Sequence, residues 1–193
     1  MESHPIDLAL EKALYHKKNG NEFLSEALNS EKDPERHAEC FAKALREYHV
    51  SYLFLRSVDV SESKREGFDD LVNGFLEEKQ KKTEAQSSEI KALKVQVWNN
   101  MSLIYLRQKK FKKALDLSED ILGFDQKNEK ALLKATAASI ELDEFEKAER
   151  YISRLESLGL IDVSTIENFK HKLEVKRAAQ SKTLKERLKN MFE

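Results

Sequence analysis

The chain has 193 residues, 36% of them charged, with only 5 Gly and 2 Pro, a composition poor in turn chemistry that favours long helices and leaves little room for strands. Its 34 Lys and Arg nearly balance 35 Asp and Glu, which removes the simplest electrostatic reason to expect nucleic acid or an anionic membrane as the main partner. The single cysteine, Cys40, excludes an internal disulfide and a Cys-rich zinc site, and an unpaired thiol suits a reducing compartment, so a cytoplasmic location is expected.

In chain order, residues 1–10 lack a basic region followed by an apolar one, and nowhere does the chain approach the roughly 18 apolar residues of a membrane span. Residues 5–57 read as a first helix pair. Gly20 and Phe23 stand as the small and aromatic residues of one helix, and Phe41, Ala44 and Tyr48 as those of its partner. The stretch from Leu28 to Glu39 carries about a dozen residues more than a repeat of roughly 34 allows, and is expected to be an extended helix end plus a loop, with Pro34 opening the second helix. Residues 58–88 are polar and charged: a loop at 61–67, a short packed helix through Phe68, Leu71, Val72, Phe75 and Leu76, and a solvated charge run at 77–82.

Residues 89–128 and 129–162 repeat one another. Phe111 and Ala114 return as Phe145 and Ala148; Trp98, Met101, Ser102 and Ile121 return as Leu132, Ala135, Thr136 and Leu155. A period of about 34 residues with small residues at fixed places is the pattern of tetratricopeptide repeats (TPRs), in which two antiparallel helices approach closely only where small side chains face each other. Gln126 and Leu160 stand where a helix-ending Pro is usual in this pattern, so softer helix stops are expected there. Residues 163–193 continue helical periodicity through Val163, Ile166, Phe169 and Leu173 into a long basic helix ending near Phe192, the cap a solenoid needs over its last apolar face. The expected fold is all-α: a single TPR domain, a helical solenoid of three helix-turn-helix repeats, the first with an insertion, plus a C-terminal capping helix.

No nucleophile elbow, phosphate-cradling glycine loop, His-x-x-x-His pair or metal-ligand spacing is present, so neither catalysis nor a cofactor is expected. His37 and His49 flank Cys40, but their spacing does not bring all three to one face, and Cys40 reads as an ordinary small residue. A stronger constellation comes from the first helix of each repeat, whose polar residues converge on the inner groove. Lys17 and Asn21 lie four apart, Asn100 stands in the second repeat, and Lys130 and Lys134 lie four apart in the third. Two lysines at that spacing repel slightly, which points either to an anion between them or to plain solvent exposure. Three ammonium groups and two amides in one groove suit a terminal carboxylate.

With these residues the sequence resembles the carboxylate-clamp TPR co-chaperones. Lys17-Lys18-Asn19-Gly20-Asn21 looks like that group's Lys-x-x-Gly-Asn, Asn99-Asn100-Met101 carries the matching Asn, and Lys130 with Lys134 matches its Lys-x-x-x-Arg. Lys for Arg at 134 keeps the charge and forfeits bidentate geometry. Within the group, the segment from Glu47-Tyr48-His49 through Leu55-Arg56 is similar to the Tyr-His-x-Ala-Leu segment of the tetratricopeptide repeat protein 9 family, and Lys189-Asn190-Met191-Phe192 resembles the Met-Phe ending of FKBP-type immunophilins. The resemblance implies an adaptor that binds the acidic Glu-Glu-Val-Asp tail of heat-shock protein 90 or 70 through Lys17, Asn21, Asn100, Lys130 and Lys134, without an isomerase domain.

Two other readings stand beside it: a scaffold for an unrelated protein, and an enzyme, the latter without any visible catalytic set. The terminal helix gives the scaffold reading a second surface, because Lys176, Arg177, Lys182, Lys185, Arg187 and Lys189 accompany apolar Leu184, Leu188, Met191 and Phe192, a pattern suited to calmodulin or an anionic membrane surface.

Overall fold

The computed structural model describes residues 5–30, 32–58, 83–159 and 161–191. The expected loop at 61–67, the short helix from Phe68 to Leu76, the charge run at 77–82, and Leu160 and Phe192 lie outside the described residues. The described residues form seven helices: α1 Pro5–Asn29, α2 Pro34–Val58, α3 Glu84–Arg107, α4 Phe111–Phe124, α5 Glu129–Glu141, α6 Phe145–Leu158 and α7 Val163–Met191. They divide into two compact units, Met1–Asn100 and Met101–Glu193, the division falling within α3.

In the first unit the extra length of the first repeat is helix. α1 and α2 each run 25 residues, joined by a turn of a few residues closed by the amide of Asp33 on the carbonyl of Ser30 at 2.9 Å. Asp33 caps α2 through its Oδ1, which accepts from the Arg36 amide at 3.1 Å, and Pro34 takes the first helical position, where its missing N–H does no harm. The helices stay regular because their apolar residues keep one spacing throughout. Ile6, Ala13, Gly20 and Ala27 recur every seventh residue on α1, against Phe41, Ala44, Tyr48, Ser51 and Leu55 on α2, and all of these are buried. Small residues on α1 let the two backbones approach so closely that Ser51 Oγ donates to the Ala13 carbonyl at 2.7 Å.

The tightest point is Gly20. A Cβ there would stand 2.7 Å from Cε1 of Tyr48, and Tyr48 has no exposed surface into which its ring could retreat. Helix propensity favours Ala over Gly by about 1 kcal/mol, but an overpacked core loses about 1 to 3 kcal/mol.

α3 begins at Glu84, five residues before the expected start of the second repeat. Thr83 and Gln86 form a reciprocal capping box: Thr83 Oγ1 accepts from the Gln86 amide and Gln86 Oε1 from the Thr83 amide, both at 3.1 Å. Ile90, Leu93, Val97 and Trp98 of α3 are buried in this unit.

The second unit repeats its own backbone at the 34-residue offset. Both hairpin turns hold a non-glycine residue in the left-handed region, Lys109 at φ 58° and Asp143 at φ 59°. The next amide bonds back in each case, Lys110 to the Tyr105 carbonyl at 2.8 Å and Glu144 to that of Ser139 at 2.9 Å, closing each helix with a Schellman-type turn. Ala114, Ala148 and the repeating positions Met101, Ala135, Ser102, Thr136, Ile121 and Leu155 are all buried. Without a proline at 126, α4 still stops at Phe124, and α5 is started by Asn128, whose Oδ1 accepts from the Ala131 amide at 3.0 Å.

α7 caps this unit. Ile166 and Leu173 are buried with Ile140, Phe145, Ala148 and Ile152, with Phe169 packed alongside, and cations of α7 pair with acids of α5 and α6: Lys170 with Glu156 at 2.5 Å, Lys176 with Glu141 at 2.8 Å and Arg177 with Glu149 at 2.8 Å. Beyond Arg177 every described residue of α7 is exposed.

Two substitutions test this packing. Gly20→Ala is expected to destabilise the protein by about 1 to 2 kcal/mol, the overpacking outweighing the gain in propensity. Lys109→Gly is expected to stabilise it by up to about 1 kcal/mol through relief of the left-handed backbone. Denaturant unfolding followed by far-ultraviolet circular dichroism reads both.

Candidate functional site

Three expected site residues meet in the first unit. α1 carries Lys17 and Asn21 one turn apart, and α3 carries Gln96 and Asn100 at the same spacing, so that two like-spaced pairs face one another. Lys17 Nζ donates to Gln96 Oε1 in a short contact. One turn on, Asn100 Nδ2 donates to Asn21 Oδ1 at 2.9 Å. Beneath them the Tyr48 hydroxyl of α2 donates to the same Asn21 oxygen at 2.7 Å and accepts from Asn100 Nδ2 at 3.0 Å. Asn21 itself is exposed, Lys17 and Asn100 are partly buried, and Tyr48 is wholly buried. Burial pushes the Tyr48 phenol up to about 12, with the hydrogen bond from Asn100 offsetting part of that rise.

The other two expected residues lie on α5 in the second unit. Lys130 is exposed and Lys134 half-buried, and Lys134 Nζ donates to the Lys130 carbonyl at 2.9 Å. Burial first, and the neighbouring Lys130 charge second, pull the Lys134 ammonium down to about 8. An opposite charge at this point would oppose both effects and favour the protonated ammonium. The two sets belong to different units, and each is a local cluster of hydrogen-bond donors.

Two participants were not legible as site residues. Tyr48 reads from sequence as a packing aromatic, and the only trace of its polar role is a hydroxyl where Phe would fill the same space. Gln96 gives no signal except its place one turn before Asn100. Cys40 is buried, and its thiol is raised above the usual cysteine range by burial first and by the Glu26 charge second. His37 is turned to the Ala27 carbonyl at 2.8 Å and packs on Phe41. Among the described residues no helix is long and apolar enough to cross a membrane.

The C-terminal TPR-containing domain of a Plasmodium falciparum protein assigned as FK506-binding matches this structure with a TM-score of 0.64 and 18% identity, over 93% of this chain and 95% of that domain. The fold is a TPR helical solenoid. No protein-family model matches the sequence, and no curated protein sequence matches it. In TPR terms, Lys17, Asn21 and Asn100 stand on first helices of the first two repeats and Lys130 and Lys134 on the first helix of the third.

The depressed Lys134 ammonium is open to direct measurement. Its side-chain signal in a pH titration followed by nuclear magnetic resonance is expected to change with a midpoint near 8, and Lys130→Ala is expected to move that midpoint upward by removing the like charge. A midpoint in the ordinary lysine range, about 10.4, would contradict the burial.

Proposed function

We propose that this chain is a non-catalytic protein-binding adaptor, a single TPR domain that holds the acidic C-terminal tail of heat-shock protein 90 or 70 in the manner of a carboxylate clamp. Lys17, Lys130 and Lys134 supply positive charge to the tail's carboxylates, and the amides of Asn21 and Asn100 orient them. The observation that carries the reading is the polar cluster of the first unit, where Lys17 bonds to Gln96 and, one turn on, Asn21 bonds to Asn100, segments far apart in sequence. For Lys130 and Lys134 the support is register: they occupy the corresponding helix of the third repeat, and a half-buried ammonium beside a like charge gains from an anionic ligand. Each charge-assisted hydrogen bond contributes about 1.5 to 3 kcal/mol before desolvation. An adaptor role suits a TPR fold, whose helices present side chains for recognition.

A second reading, a scaffold for an unrelated partner, is favoured by one observation. Leu184, Leu188 and Met191 are 58%, 46% and 75% exposed and lie on the same stripe of α7 that buries Leu173, among cations that are themselves exposed to solvent.

Calorimetric titration with a Met-Glu-Glu-Val-Asp peptide, beside the same peptide amidated at its C-terminus, decides the first reading. Micromolar binding of the free acid alone, weakening with salt and abolished by Lys130→Glu, is the expected result. Affinity is also expected to fall several-fold between pH 7 and 9 as Lys134 loses its proton, the protonated form being the binding one below about 8. Retained affinity in Lys130→Glu, or equal binding of the amide, would sink the clamp.

A further inference from the structure

We infer that Tyr48 is a positioning residue of the polar site, its hydroxyl setting which ends of the Asn21 and Asn100 amides are turned toward a ligand; the inference rests on the reading of that site proposed above. Tyr48 has no exposed surface, so it cannot touch a ligand and must act through its neighbours. A tyrosine hydroxyl has one proton to give, and here it goes to Asn21 Oδ1 at 2.7 Å. The same oxygen receives Asn100 Nδ2 at 2.9 Å, so both of its lone pairs are occupied.

Turning the Asn21 amide over alone would set its NH2 group against that of Asn100, with only the Tyr48 oxygen for both to share, and would leave the Tyr48 hydroxyl proton without its present acceptor. The arrangement therefore holds Oδ1 inward and leaves Nδ2 as the free end of an exposed residue, with no partner among the described residues. Asn100 is fixed by the same group. Its Nδ2 lies 2.9 Å from Asn21 Oδ1 and 3.0 Å from Tyr48 Oη, and these acceptors are only 2.7 Å apart. Seen from Nδ2 they stand about 54° apart, far less than the angle between the two N–H bonds of an amide, so one N–H directed between them serves both and the second N–H remains for a ligand. One buried hydroxyl thus presents two amide donors to an anion. Without it only the bond between the two asparagines holds their orientation, and a reversed pair offers a carbonyl oxygen where a carboxylate must sit.

Gly20 belongs to the same device. The Tyr48 ring occupies the space where a Cβ of residue 20 would stand, and this close seating, next in sequence to Asn21, brings the hydroxyl up to the layer of the amides.

The test uses the full chain, Tyr48→Phe, Asn21→Ala and the double variant, each titrated with the free-acid Met-Glu-Glu-Val-Asp peptide. Tyr48→Phe keeps the ring against Gly20 and is expected to weaken binding about five- to tenfold with little change in melting, and to add almost nothing in the Asn21→Ala background. Unchanged affinity in Tyr48→Phe, or effects that simply add, would overturn the inference. If the unaltered protein binds neither free acid nor amide, the clamp reading fails, and amide positioning is then read from the ligand-free protein. There the side-chain NH2 signals of Asn21 and Asn100 are expected to stand apart from those of exposed asparagines and to collapse toward them in Tyr48→Phe, whereas signals indifferent to the hydroxyl would overturn it. Should Tyr48→Phe not fold, a slowly exchanging Tyr48 hydroxyl proton close to the Asn100 NH2 in the unaltered protein supports the inference, and a freely exchanging one contradicts it.

Discussion

The first unit depends on how closely α1 and α2 approach. A small residue at every seventh position of α1, Ala13, Gly20 and Ala27, lets a helix carrying Phe41, Tyr48 and Leu55 lie against its backbone. Close approach is what makes the interior continuous enough to sustain two helices of 25 residues, since a long isolated helix has little stability of its own and draws most of it from packing. The same approach governs the polar layer. Tyr48 reaches Asn21 because its ring lies where a larger residue at 20 would have excluded it, so packing and recognition are set by one contact.

The second unit uses a different economy of parts. Its hairpins are short, and their turns hold Lys109 and Asp143 in left-handed backbone where glycine would be at ease. Their repetition at the 34-residue offset, down to the same backbone hydrogen bond, shows that the hairpin geometry belongs to the repeat and not to the residue at the turn. Capping is then achieved by two kinds of force on α7: burial of Ile166 and Leu173, and ion pairs in which α7 supplies the cations and α5, α6 and the turn between them supply the acids. Such pairs are worth little individually at the surface, but their one-sided arrangement fixes the register of α7 along the repeat. The burial ends at Leu173 and the ion pairs at Arg177, after which every described residue of the helix is exposed.

Charge is handled differently in the two units. Lys17 has a neutral partner in Gln96, and Asn21 is held by the neutral donors Tyr48 and Asn100. Lys134 is instead destabilised as an ammonium by burial and by Lys130, a cost that an anionic ligand would remove. On the clamp reading proposed above, an anion would meet available donors in one cluster and relieve an unfavourable charge in the other.

Much of this was legible in the residues alone. Periodicity, the recurrence of Phe111–Ala114 as Phe145–Ala148 and the scarcity of glycine and proline determined an all-helical repeat fold with a cap, because helix faces and small-residue contacts are written at fixed spacings. The helix stops at Asn29 and Phe124 and the start at Glu84 were less legible, since they are decided by local hydrogen bonds such as the Thr83–Gln86 box rather than by the apolar pattern. Lys17, Asn21 and Asn100 could be named from sequence, but not the bond between the two asparagines, nor the hydroxyl that orients them, nor the depressed Lys134 ammonium. A side chain's hydrogen-bond partners and its loss of water depend on what other segments bring beside it, and only the tertiary structure decides that.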